Sequence, residues 1–196
     1  MTIGVLALQG DFEAHAAALA RAGADARPVR TSDAVRASDG LVIPGGESTT
    51  FRKLMEGTGI EEAIREVARR GDPVFGTCAG AILLADAVTN PPTRGLGLLP
   101  MTVERNAYGR QLDSTVLTLT DLDRSALGEA PLEAVFIRAP RITSVGRGVE
   151  ILARRRADPV LVRKDNVLAA TFHPELAGDG RILALFLAAR VRDSAR

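Results

Sequence analysis

The chain carries one cysteine, Cys78, and two histidines, His15 and His173. The cysteine stands in Gly76-Thr77-Cys78-Ala79-Gly80, after the apolar run Pro73-Val74-Phe75 and before an apolar, alanine-rich stretch. The same G-x-C-x-G pattern with serine forms the sharp strand-to-helix turn that lifts a nucleophile above a sheet. Glycines two residues to either side let neighbouring backbone pass without a Cβ clash. At such a turn the helix dipole and free N–H groups favour thiolate over thiol. The backbone N–H of Ala79 is also placed to donate to an oxyanion. A lone cysteine equally occurs as a small buried hydrophobe, and a glycine pair around it is a loose pattern. The placement between a strand and a helix tips the reading toward a nucleophile.

A nucleophilic thiol needs a base. His15 falls within the first helical pattern, where a partly buried helix residue accounts for it. His173 follows the apolar stretch Leu168-Ala169-Ala170-Thr171-Phe172 and heads His173-Pro174-Glu175. That places the imidazole at a strand's C-terminal end, the edge where parallel α/β folds gather their chemistry. Pro174 fixes the turn, and Glu175 can reach back to orient the ring and stabilise its charged form. A His-Pro-Glu turn alone reads as a surface loop. Together with the cysteine turn it reads as a Cys78, His173, Glu175 constellation whose members must meet in space, far apart as they are in sequence.

The elements that must position these groups are legible as alternating patterns. Residues 3–8 read as a buried strand, and 11–22 as an alanine-rich helix with Phe12, His15 or Ala16, and Leu19 on one face. Residues 40–44 read as a second strand, 48–56 and 60–70 as helices, and 73–77 as a third strand running into a helix over 79–88. Strand, crossover helix, strand, repeated, implies a parallel sheet covered on both faces. After the turn-rich Asn90-Pro91-Pro92-Thr93-Arg94-Gly95, strands follow near 101–104, 114–120, 134–137, 149–153, 160–163 and 167–172. A helix from about 180 to 191 comes last. No repeat or long linker interrupts the chain, so one domain over 1–196 is expected.

Bulk composition excludes several classes. Over 196 residues, 25 Lys and Arg against 24 Asp and Glu leave a net charge of +1, which makes no electrostatic case for nucleic acid. The arginines after residue 189 are explained more cheaply by a solvated helix end. One cysteine rules out an intramolecular disulfide and a Cys-rich metal site. There is no phosphate-binding P-loop, no dinucleotide glycine fingerprint and no metal cluster, so no cofactor and no metal are expected. No run of about 18 apolar residues implies a membrane span, and the N-terminal stretch lacks a basic leader with a long apolar run. A soluble, reducing, cytoplasmic setting is expected, with Cys78 a free thiol.

Ordered together, Pro44-Gly45-Gly46-Glu47-Ser48, Gly76-Thr77-Cys78-Ala79-Gly80 and His173-Pro174-Glu175 resemble the triad-type (class I) glutamine amidotransferase domain. Within that family, further blocks resemble the glutaminase subunits of pyridoxal 5'-phosphate synthase: Gly4-Val5-Leu6-Ala7-Leu8-Gln9-Gly10, Gly45-Gly46-Glu47-Ser48-Thr49-Thr50, Val103-Glu104-Arg105-Asn106 with Gly109-Arg110-Gln111, and Phe136-Ile137-Arg138-Ala139-Pro140. The resemblance runs nearly end to end. It implies a flavodoxin-like, three-layer α/β sandwich with a central, mostly parallel sheet flanked by helices.

It also implies that Cys78 attacks the glutamine carboxamide to form a thioester, with His173 moving protons and Glu175 steadying it. Gly46 and Ala79 would supply the oxyanion hole, and Gly46, Glu47, Ser48, Arg105, Ile137 and Arg138 would line the glutamine site. A guanidinium suits the substrate's α-carboxylate, although backbone groups at Ile137 and Arg138 could serve instead. Gln9-Gly10 is similar to a position near the mouth of the site, a candidate gate at a partner interface. The implied partner is the barrel-shaped pyridoxal 5'-phosphate synthase subunit, to which ammonia from L-glutamine is delivered, with no nucleic acid and no membrane involved. Docking would reorient the peptide around Gly45-Gly46. Two other readings share the elements: the glutaminase of imidazole glycerol phosphate synthase or of an anthranilate-type enzyme, and a non-enzymatic cysteine sensor of similar fold. The blocks around Arg105 and Phe136 disfavour the first, and the His-Pro-Glu turn disfavours the second.

Overall fold

The computed structural model describes residues 1–105, 107 and 114–190. In chain order the first half runs β1 (Thr2–Leu6), α1 (Phe12–Arg21), β2 (Asp25–Val29), α2 (Ser32–Arg36), β3 (Gly40–Ile43), α3 (Ser48–Met55), α4 (Ile60–Arg69), β4 (Val74–Thr77) and α5 (Ala79–Leu84). Side chains that satisfy free N–H groups mark several helix starts. Asp11 accepts from Ala14 N at 3.3 Å, Thr31 from Ala34 N at 3.3 Å, and Glu47 from Thr49 N at 3.2 Å. The second half adds β5 (Ala85–Thr89), β6 (Thr93–Arg94), β7 (Leu99–Glu104), β8 (Ser114–Leu119), β9 (Asp121–Leu122), α6 (Arg124–Leu127), β10 (Leu132–Ile137), β11 (Arg141–Val145), β12 (Glu150–Arg155), β13 (Asp158–Lys164), β14 (Val167–Ala170) and α7 (Arg181–Ala188).

The main sheet has strand order β2-β1-β3-β4-β14-β13-β12-β9. The five strands from β2 to β14 are parallel, and the remaining three continue antiparallel. This is the expected α/β architecture, with its parallel core where the crossover helices are. Two smaller sheets, β10-β8 and β11-β7-β5-β6, stand apart from it.

Strand periodicity divides the core between the sheet's two faces. Leu41, Ile43 and Val74 pack with Phe51 and Met55 of α3 and with Ala63, Ile64 and Val67 of α4. Val42 and Phe75 point the other way and pack with Leu19 of α1 and with Ile182, Leu183 and Phe186 of α7.

Several elements differ from the reading of the sequence. The helix expected over 79–88 stops at Leu84, and Ala85–Thr89 is β5, which pairs in parallel with β7. A strand at Asp25–Val29 and a short helix at Ser32–Arg36 were not anticipated. β11 was likewise missed: it pairs antiparallel with β7. Asn106, Gly109, Arg110, Gln111 and the tail from 191 lie outside the described residues. Among those described, no helix is long and apolar enough to cross a membrane.

Phe75 is fully buried, with its ring 5.7 Å from that of Phe186. Replacing Phe75 by alanine is expected to cost about 3–5 kcal/mol, the usual range for an aromatic core truncation. Urea unfolding should register it as a lowered midpoint at unchanged slope.

Candidate active site

Three neighbouring parallel strands deliver the reacting groups. β3 lies beside β4 with Ile43 opposite Gly76, and β14 lies on the other side with Ala170 opposite Thr77. Their C-terminal ends therefore reach the same edge, leading into Gly45-Gly46-Glu47, Cys78 and His173 respectively. Cys78 occupies a positive-φ conformation (φ 48°, ψ −103°) that a side chain rarely adopts. Such a residue costs on the order of 1–3 kcal/mol and persists only where its surroundings hold it. Here its N–H donates to Ala170 O at 2.8 Å. The flanking glycines allow the turn, since a Cβ on Gly76 would sit 2.6 Å from the Gly80 carbonyl and one on Gly80 would sit 2.1 Å from Ile43 O.

His173 is anchored by its own backbone N–H, which donates to Val135 O of β10 at 2.8 Å. Its Nδ1–H donates to Glu175 Oε1 at 2.7 Å, and both side chains are buried. Cys78 and His173 flank a common point: a Cβ placed on Gly45 would lie 2.5 Å from His173 Cε1 and 3.4 Å from Cys78 Cβ. His173 Nε2 has no hydrogen-bond partner of ordinary geometry among the described residues. Burial works against the imidazolium, but Cys78 and Glu175 more than offset it and His173 is pushed up to about 10. Burial likewise opposes the Glu175 carboxylate, yet hydrogen bonds from His15 and His173 bring it down to about 2. The arrangement suits a sulfur nucleophile beside a proton-carrying imidazole whose ring is fixed by a charged carboxylate.

In front of these groups opens a pocket of about 250 Å³. That is just under the roughly 300–1,000 Å³ of drug-sized sites, which suits an amino acid. Cys78, His173, Gly46, Glu47, Ser48, Arg105, Ile137 and Arg138 all line it. Glu175 stands behind His173, and Ala79 opens α5 beside the thiol without lining the pocket. Arg105 Nη2 donates to Glu47 Oε1 at 2.8 Å. Partial burial disfavours the Glu47 charge, but bonds from Thr49 and the nearby Arg105 and Arg138 hold its carboxyl below the usual range. Ile137 presents its carbonyl oxygen 3.9 Å from Cys78 Sγ, and Arg138 follows at φ 42°. The Ile137 carbonyl thus faces the thiol at the pocket wall.

Gln9 brackets the peptide after Gly46. Its Nε2 donates to Glu47 O at 3.3 Å, and its Oε1 accepts from Glu47 N at 3.2 Å. Sequence reasoning missed the wall formed by Asp11, Ile82, Pro140 and Leu176, and gave His15 no role. His15 is fully buried, with Nε2 2.9 Å from Thr77 Oγ1 and 3.3 Å from Glu175 Oε1. A lone histidine on an alanine-rich helix carries no local signal of that contact.

A Cys-His-Glu constellation at the carboxyl edge of a doubly wound sheet, over a pocket of amino-acid size, defines the class of triad-type glutamine amidotransferases. A family model described as the SNO glutamine amidotransferase family matches residues 5–192, and the chain belongs to that family. It is 56% identical over 187 residues to a protein of Koribacter versatilis named pyridoxal 5'-phosphate synthase subunit PdxT, covering 95% of this chain and 94% of that one. A protein of the same name from Solibacter usitatus is 50% identical, with 94% and 97% covered. A solved structure described as a glutamine amidotransferase superposes with a TM-score of 0.88 at 46% identity, covering 96% of this chain and 98% of that one.

The two shifted groups make stability depend on pH in opposite directions. His173, raised from 6.5 to about 10, contributes stability that is fully present below 6.5 and lost as pH rises through 10. Glu175, lowered from 4.5 to about 2, contributes stability present above 4.5 and lost as pH falls through 2. The urea midpoint should therefore fall on either side of a plateau between these windows. In His173→Asn the alkaline decline should flatten. A variant curve that declines as steeply as the wild type above pH 6.5 would rule out this pairing.

Proposed function

We propose that the chain hydrolyses L-glutamine to L-glutamate and ammonia, and hands the ammonia to the synthase subunit of a pyridoxal 5'-phosphate synthase. The observation that carries this reading is that Cys78 and His173, with Glu175 bonded behind the imidazole, line one small pocket that also holds Glu47 and Arg105. The relatives' shared name supplies the pathway and the partner. Residues 1–196 act as one amidotransferase domain, a reading supported by the match over 5–192 and by cores on both faces of one sheet.

In the proposed reaction the Arg105 guanidinium receives the substrate α-carboxylate and Glu47 its α-ammonium, each exchanging its present partner for a substrate charge. Ser48 and the backbone at Ile137 and Arg138 complete the binding wall. Cys78 Sγ attacks the side-chain carboxamide carbon, and the oxygen's developing charge is met by N–H groups at Gly46 and Ala79. His173 gives its proton to the departing nitrogen, the C–N bond breaks, and ammonia leaves a thioester on Cys78. A water molecule, deprotonated by the same imidazole, then splits the thioester to glutamate and regenerates the thiol. Glu175 stays ionised and keeps the ring in position.

Ammonia released to water at neutral pH becomes mostly ammonium, which is no nucleophile. Direct transfer to a docked synthase avoids that loss. Gln9 holds both the N–H and the carbonyl of Glu47, next to Gly46, in the free chain, so docking near this loop is the step that frees it to point an N–H at the oxyanion. A reduced Cys78 requires a reducing compartment, and the cytoplasm supplies one. The names of the relatives do not favour another amidotransferase pathway. A sensor reading leaves the His173–Glu175 pair without a task.

Glutamine hydrolysis should rise when the barrel-shaped synthase subunit is added, and equal rates with and without it would refute loop activation on docking. Cys78→Ala and His173→Asn should abolish activity in the complex, whereas Glu175→Ala should leave a trace, because losing an orienter costs less than losing the nucleophile. A glutamine-analogue electrophile should label wild type but not Cys78→Ala. Full activity in Cys78→Ala would end the proposal.

A further inference from the structure

We infer that His15 is a positioning residue for this site: its Nε2–H, delivered from α1, holds the Glu175 carboxylate in the orientation that His173 needs. The inference rests on the glutaminase reading above and adds a fourth side chain to it.

Glu175 is almost wholly buried, and its carboxylate has two polar neighbours among the described residues, both on Oε1. His173 Nδ1 lies at 2.7 Å and His15 Nε2 at 3.3 Å, while Oε2 has no hydrogen-bond partner. A charged carboxylate only accepts, so each ring nitrogen that faces it must carry a proton. For His15 this selects the tautomer with hydrogen on Nε2, which lies 2.9 Å from Thr77 Oγ1 and 3.3 Å from Glu175 Oε1. The opposite tautomer would aim a lone pair at the carboxylate and bury an unpartnered N–H at Nδ1, which has no hydrogen-bond partner there. With the proton on Nε2, Nδ1 is left as an acceptor.

His15 is fully buried on a helix whose other buried residues are Ala18 and Leu19. An apolar side chain would fill that space without leaving Nδ1 unpartnered at a cost on the order of 1–3 kcal/mol. What the imidazole adds is the donor. It also ties two parts of the site together: Thr77 directly precedes the nucleophile, and Glu175 directly follows the His173-Pro174 turn. One ring from α1 therefore spans the Cys78 arm and the His173 arm. Without it, Glu175 keeps a single donor and is free to rotate away from His173 Nδ1.

The test is steady-state glutamine hydrolysis by the complex with the synthase subunit, using His15→Leu, His15→Gln and His15→Asn. The glutamine amide reaches the place of Nε2, whereas the asparagine amide stops at the place of Nδ1. His15→Leu should lower kcat by ~10–100-fold, the usual cost of removing the partner that orients a site residue, with KM within about twofold because the ring does not line the pocket. His15→Gln should recover most of kcat, and His15→Asn should not. The proposal fails if His15→Leu keeps wild-type kcat, if KM changes as much as kcat, or if Gln and Asn are equally impaired. The Gln and Asn pair decides the matter even if His15→Leu does not fold. Cys78→Ala, run alongside, separates the two levels: activity surviving there sinks the glutaminase reading itself, while activity lost there but untouched in the His15 variants sinks only the positioning role.

Discussion

Everything at the site depends on three adjacent parallel strands ending at the same edge. Strands pair about 4.8 Å apart, and β3, β4 and β14 are consecutive in the sheet, with Ile43 beside Gly76 and Thr77 beside Ala170. The residue after each strand end is therefore carried to within a few ångströms of its neighbours before any side chain is considered. Sequence order does not suggest it: β14 comes last of all the strands and inserts next to β4. Once it does, the imidazole two residues past Thr171 has nowhere to go but toward the thiol, and the Gly45-Gly46 turn closes the third side.

How much of this could be read from the chain follows from where the physical signal lies. The strands β1, β3, β4 and β14 are buried on both faces almost throughout and so are written as short, mostly apolar segments. The Gly76 and Gly80 pattern exists because two backbones approach too closely for a Cβ. Those features were legible because they are local. β2 was not, since Asp25-Ala26-Arg27-Pro28-Val29 is an edge strand paired on one side only, where charge and proline are tolerated and the apolar pattern fades. The segment 85–89 continues a helical pattern in sequence, yet pairing with β7 outweighs local propensity. The Glu175 contact of His15 was invisible for a related reason: it joins residues far apart in the chain, and nothing in α1 announces it.

The electrostatics of the reacting end follow from burial. A carboxylate removed from water demands donors, and Glu175 finds two imidazole nitrogens. Its charge in turn sustains the proton on His173 against the same burial. The strain at Cys78 is carried the same way, by an N–H bond to Ala170 and by a helix that cannot shift without driving Gly80 into Ile43. Each unfavourable feature is thus held by contacts from the sheet or from α1 packed against it.

The recognition end is held differently, and the contrast has a consequence. Glu47, 54% exposed at its side chain, meets the mostly buried Arg105, 13% exposed, in an ion pair at the pocket's rim. The pair is open to solvent on the glutamate side, so a ligand that offered a carboxylate to the arginine and an ammonium to the glutamate would exchange one charge partner for another. No ligand could do the same to His173 and Glu175, whose separation would leave a buried charge bare. Binding can therefore rearrange the rim while the triad stays fixed. The loop between the two regimes, Gly45-Gly46, belongs to both: it emerges from β3 in the core, yet the peptide that follows it is held by the side chain of Gln9. A rigid catalytic end joined to an exchangeable rim through one side-chain clamp leaves that clamp as the place where an outside surface can act without disturbing the chemistry.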